Sequence, residues 1–145
     1  MRARRALILA LVLVASFGAM GAGAASPPAY VVIVHPTNPT TNVSRRFLAD
    51  AFLKKTTRWD NGETIRPVDQ APDTSVRRRF SDEVLKRSVA AVRNYWQQII
   101  FAGRGVPPPE LNGDEEVIKY VTEHDGAVGY VSGSNTGGAK VIAVD

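Results

Sequence analysis

Cysteine is absent from all 145 residues. That excludes structural disulfides, thiolate zinc sites, cysteine nucleophiles and lipid attachment through an N-terminal cysteine. Histidine is nearly as scarce, with only His35 and His124 in the chain, and neither lies in an HExxH or comparable metal spacing. His35 ends an apolar run just before a proline, where it can line a strand-end crevice. His124 falls in the last turn of an expected helix, where a partly cationic ring suits the dipole. No serine sits in a GxSxG elbow. With no nucleophile beside a base and no metal set, the chain does not read as an enzyme and calls for no cofactor.

An excess of positive charge is also missing from most of the chain. The formal net charge is +4, from 18 Lys+Arg against 14 Asp+Glu. The first residues, however, read as a secretory signal: "MRARR" is a basic n-region, "ALILALVLVASF" a short apolar run, and "GAMGAGAA" supplies small residues for cleavage. We therefore expect residues 1–25 to be a signal peptide and residues 26–145 a single domain, with cleavage before Ala25 or Ser26. An uncleaved anchor is the alternative. Removing Arg2, Arg4 and Arg5 with the signal leaves 15 basic against 14 acidic residues, a net charge of +1. That balance argues against a nucleic-acid partner. Export places the mature chain in the periplasm or outside the cell, and its 120 or so residues suffice for one core but not two.

Buried strands alternate with amphipathic segments along the chain. "YVVIVHP" (residues 30–36) has the continuous β-branched pattern of a strand covered on both faces. Ser44 can cap a helix whose apolar stripe is Phe47, Leu48, Ala51 and Phe52. "DNG" at residues 60–62 is a tight-turn signal, and "ETIRPV" follows as a short strand. Asp73 or Thr74 can cap the next helix, whose inner face is Val76, Phe80 and Val84. "SVAAVRNYWQQIIF" directs Val89, Val92, Trp96 and Ile99 or Ile100 inward. "AGRGVPPPELNG" reads as a surface loop, because three prolines lack donors. Asn112 with Glu115 resembles a capping box for "DEEVIKYVTEH", and "AVGYV" and "KVIAV" are the last strands. This order predicts an α/β sandwich with a mixed sheet.

Two basic or glycine-rich stretches invite a binding role. "GSNTGGAK" (residues 133–140) spaces Gly133 and Gly138 like a phosphate-cradling loop, but Ala139 stands at the lysine position and a strand follows instead of a helix. A flexible hairpin between the last two strands is the expected structure. In "PVDQAPDTSVRRRF" (residues 67–80) each arginine has an acid four residues away: Asp73 for Arg77, Asp82 for Arg78 and Glu83 for Arg79. That spacing predicts a solvated, compensated helix face. The same strand-to-helix turn is nonetheless a natural oxyanion site, since the first N–H groups of a helix are free and the dipole is positive there. Thr74 and Ser75 add hydroxyls, and Asp73 opposes a dianion.

Three segments together resemble the phosphate-binding (PstS-like) substrate-binding proteins of ABC transporters. "FLKKTTRW" (residues 52–59) is similar to their "FLGKxTxW" element with Lys54 in place of glycine. "GAVGYV" (residues 126–131) is similar to their "GAIGYV", and Tyr95-Trp96 falls between, where an aromatic pair is expected on a helix. The resemblance runs from Tyr30 to Val131. It implies an α/β fold of the type 2 periplasmic-binding-protein-like class, here a single lobe with a mixed sheet flanked by helices, like small single-lobe relatives. The family's "RSxGSGT" phosphate turn matches residues 67–80, its arginine falling at or near Asp69 and its glycines replaced by "QAPDTS". The resemblance thus implies Thr74, Ser75 and Arg77 as the anion ligands, with Arg77 a displaced cation. The function it implies is non-covalent binding of phosphate or a related oxyanion in transport or sensing, with a membrane permease as partner. The alternative is an envelope protein-interaction module that has lost its ligand. A homo-dimer is one way to supply a second lobe.

Overall fold

The computed structural model describes residue 23, residues 29–133 and residues 135–145. The expected signal peptide thus lies, save for Gly23, outside the described residues. β1 (Val31–Val34) is the centre of a five-stranded mixed sheet of order β2-β7-β1-β6-β3. Its side chains alternate between layers: Val32 and Val34 join one apolar core, and Ile33 joins another on the opposite face. A strand of this kind must be covered twice, which is why it takes the middle position. β6 (Ala127–Val131) and β7 (Lys140–Val144) flank it, both antiparallel to it, with Ile33 opposite Gly129 and Val141. β2 (Asn42–Val43) runs parallel to β7, and β3 (Arg66–Pro67) runs parallel to β6.

The expected hairpin between the last two strands is not formed. β1 separates β6 from β7, so the glycine-rich segment connects two strands that share a neighbour. The reason is the apolar character of β1, which buries more as a central strand than it would at an edge. A second correction concerns the proline-rich loop. Its end forms β5 (Glu110–Leu111), paired in parallel with β4 (Asp69–Gln70). Proline can still accept, and Pro109 O receives the Asp69 N–H at 2.9 Å while Leu111 O receives that of Ala71 at 2.9 Å.

Three helical segments cover the first face. α1 (Arg45–Phe52) is capped by Ser44, whose Oγ accepts from Phe47 N, and it buries Leu48, Ala51 and Phe52. It ends at Lys54, which takes a left-handed φ of 54°. α2 (Ser75–Phe80) is capped by Thr74 and continues as a π-helical turn, Ser81–Leu85, so that Val76, Phe80 and Val84 are all buried. α3 (Val89–Phe101) is capped by Ser88 and buries Val92 and Trp96, while Ile100 is half exposed. Phe80 stacks on Tyr130 with ring centroids 3.9 Å apart and packs against Phe52 at 4.7 Å, joining helices to sheet. Trp59 closes the edge by donating its indole N–H to Gly126 O at 2.9 Å.

α4 (Asp114–Glu123) covers the other face with Val117 and Val121 against Ile33, Val68 and Val131. The expected Asn112 cap is displaced by one residue. Gly113 is the cap, and Glu116 instead accepts the Asn112 backbone N–H at 2.9 Å. Gly129 on β6 lets α4 approach: a Cβ there would lie 2.7 Å from Val117 Cγ1. No helix among the described residues is long and apolar enough to cross a membrane.

Candidate functional site

The chain leaves the five-stranded sheet after β3, pairs β4 with β5, and then turns through Ala71 and Pro72 into α2. The turn is held by Thr74, whose N–H and Oγ1 both donate to Ala71 O, while the same Oγ1 accepts from Arg77 N at 3.2 Å. The first two N–H groups of α2, those of Ser75 and Val76, have no acceptor among the described residues. This end of α2 faces the start of α4. Between them lies an open depression of about 440 Å³ lined by Thr74, Ser75, Val76, Gly113, Asp114 and Glu115, with Gln70, Asn112 and Ser132 at its borders.

Gln70 ties the depression to the interior. Its Nε2 donates to Asp114 Oδ1 at 2.7 Å and to Tyr130 O at 3.0 Å. Asp114 also accepts from Ser132 Oγ at 2.6 Å and from Ser132 N. Partial burial opposes its charge, but these donors outweigh that effect and hold the carboxyl below its ordinary range. The carboxylate is therefore saturated by neighbours and fixes the start of α4.

The candidate ligands from the sequence separate in space. Thr74 and Ser75 line the depression, and Ser75 is exposed. Arg77 points the other way and is only 2% exposed. The expected pairing of Arg77 with Asp73 is replaced by a buried network. Its Nη1 donates to Gln70 O at 2.6 Å, its Nε lies 3.2 Å from Asp69 Oδ1, and Glu110 Oε2 is 3.9 Å away. The reason is the position of β4, which places Asp69 and Gln70 under the first turn of α2. Arg78 donates to Asp73 O rather than pairing with Asp82, and Arg79 does lie near Glu83, at 3.8 Å. Burial raises the Asp69 carboxyl to about 6, although Arg77 and a hydrogen bond from Tyr130 Oη pull it down. Burial, with the Asp69 charge, pushes the Tyr130 hydroxyl up, so it stays a donor.

The histidines lie apart from this region. His35 Nδ1 bonds Thr37 Oγ1 at 2.8 Å, and its Nε2 is 3.4 Å from the exposed Asp125. His124 bonds Tyr120 O and stacks on that ring. Gln70, Asp114 and Ser132 are not singled out by any sequence motif. Their only signal is position, each falling at a strand end or helix start.

No family model matches the chain, and no curated protein matches it in sequence. Solved structures do match. A phosphate ABC transporter substrate-binding protein from Clostridium perfringens, with bound phosphate, superposes with a TM-score of 0.63 at 20% identity over 81% of this chain and 45% of that one. An ABC-type phosphate transport receptor from Vibrio cholerae gives 0.62 at 20% identity, over 80% and 46%. PstS from Borrelia burgdorferi gives 0.60 at 14% identity, over 81% and 47%. The fold is therefore that of a periplasmic-binding-protein lobe, a mixed sheet flanked by helices, and the chain spans just under half the length of each of these proteins.

Proposed function

We propose that the protein is exported and binds phosphate or a related oxyanion non-covalently in the depression between α2 and α4, serving uptake or sensing with a membrane permease as partner. One observation carries the reading: two helix N-termini meet at one open depression, and Ser75 and Val76 present N–H groups with no acceptor among the described residues. Free amides and the positive ends of two helices favour an anion. Ser75 adds a hydroxyl donor beside them, while the Thr74 hydroxyl, which already donates to Ala71 O, holds the turn that aims them. The fold is shared with a protein solved with bound phosphate, which supports the same ligand class. Arg77 contributes from behind the turn by fixing Gln70 O rather than by direct contact.

Asp73, Asp114 and Glu115 surround the amides, so an oxyanion that still carries a proton is favoured over one that does not. Hydrogen phosphate meets that condition and sulfate does not. Calorimetric titration with both ions tests the proposal. Heat with phosphate and little with sulfate is expected, and phosphate at 100 times its Kd should stabilise the fold by about 2.7 kcal/mol. The absence of both heat and a thermal shift with millimolar phosphate would rule out ligand capture by a single chain.

A further inference from the structure

A second cleft lies behind Arg77, separate from the depression at Thr74. Trp96 and Ile100 of α3 form one wall, Pro107 and Pro108 the other, and Asp69 with Arg77 the floor, enclosing about 200 Å³. Arg93, Gln97 and Glu110 stand at the rim. Arg77 is 2% exposed: its Nε–H is sealed against Asp69 Oδ1 at 3.2 Å and its Nη1 donates to Gln70 O, while its Nη2 has no hydrogen-bond partner among the described residues and is not fully sealed from the cleft. Nη2 is therefore the donor a ligand in the cleft would meet. A guanidinium fork matches a carboxylate, and the exposed Arg93 adds a second cation at the mouth. The walls are apolar, so they favour a ligand with an apolar part over a bare inorganic ion. At about 30 Å³ per water the space holds roughly seven waters, which suits a benzoate-sized molecule.

We propose that this cleft binds a small carboxylate bearing an aromatic or short aliphatic group, with the carboxylate between Arg93 and Arg77 and the apolar part against Trp96, Ile100 and Pro107. The charged groups facing the floor are Arg77, Arg93, Glu110 and Asp69, with Tyr130 behind Asp69. Asp69 competes with the ligand for Arg77 only while ionised. Its carboxyl is raised to about 6 by burial, so the protonated form falls from most of the population at pH 5 to about 3% at pH 7.5. Affinity then drops about 30-fold across that range.

The test is an NMR titration of the Trp96 indole and neighbouring amides with benzoate, benzyl alcohol and inorganic phosphate, in the protein and in Arg93→Gln. The expected result is a saturable benzoate shift centred on Trp96 and Gln97, about 30-fold tighter at pH 5 than at pH 7.5. Arg93→Gln, an exposed change that leaves the fold intact, should weaken it at least ~10-fold, and benzyl alcohol should give no saturable shift. No benzoate shift, an equal response to benzyl alcohol, unchanged affinity in Arg93→Gln, or shifts confined to Ser75 and Asp114 would each overturn the proposal. Arg77 supports both sites, but Arg93, Trp96 and Gln97 line only this cleft and Ser75 and Asp114 only the other, so the two proposals fail separately.

Discussion

Replacing Arg77 with alanine separates the buried network from a solvated helix face. The substitution leaves Asp69, 3% exposed, without its counter-charge and Gln70 O without its 2.6 Å donor. Removing one partner from a buried ion pair costs about 3–5 kcal/mol. The neighbouring Arg78 is exposed and makes one surface hydrogen bond, to Asp73 O at 3.2 Å, so Arg78→Ala should stay within about 0.5 kcal/mol. Taking about 4 °C per kcal/mol for a domain of this size, Arg77→Ala should melt roughly 12–20 °C lower and Arg78→Ala at most ~2 °C lower. Urea unfolding at pH 7.5, with the slope m checked for constancy, measures both. At pH 5 the loss should shrink, because Asp69 can then be buried as the neutral acid. A double variant, Arg77→Met with Asp69→Leu, should recover part of the stability by leaving no unpaired charge. If Arg77→Ala and Arg78→Ala fall within ~1 kcal/mol of each other, the buried network does not hold this turn.

Three further outcomes follow from the same geometry. Asp69 has a folded-state pKa of about 6 against an ordinary 3.8, so its contribution is fully present below pH 3.8 and is lost as pH rises through 6. That change is worth about 3 kcal/mol; urea unfolding from pH 4 to pH 7 should show it, and Asp69→Asn should flatten the slope. Gly129→Ala places a Cβ 2.7 Å from Val117 Cγ1 and 3.0 Å from Val68 Cγ2, which should cost about 1–3 kcal/mol in the same assay. Lys54→Gly should raise the urea midpoint by up to about 1 kcal/mol of stability, because glycine takes the left-handed φ of 54° without the steric cost that lysine bears; a loss would contradict that account of the "FLKK" turn.

The elements legible in the sequence are those whose patterns are local. Ser44, Thr74 and Ser88 cap their helices as hydroxyl residues before apolar-periodic runs do, and β1 sits where a run of β-branched residues must be covered twice. The features that sequence reading misplaced are set by distant partners. β5 forms because Pro109 O and Leu111 O accept from β4, which proline content does not forbid. The last two strands do not pair because β1 takes the place between them. Arg77 is the clearest case. Four-residue spacing pairs it with Asp73, yet a single strand residue, Asp69, draws it inward, and three consecutive arginines in the sequence become one buried side chain and two exposed ones. The depression itself was half legible, as the turn carrying Thr74 and Ser75. Its other half, Gly113 and Asp114 with Ser132, comes from segments about 40 and 60 residues away and is joined only by tertiary contact.

On the proposed reading, an oxyanion sits on the amide N–H groups where α2 and α4 begin. A ¹H–¹⁵N titration with inorganic phosphate reads those amides one by one. Saturable shifts are expected at Ser75, Val76, Asp114 and Glu115, with sulfate producing far smaller ones. Shifts absent at those four positions at millimolar phosphate, or equally large for sulfate, would contradict it.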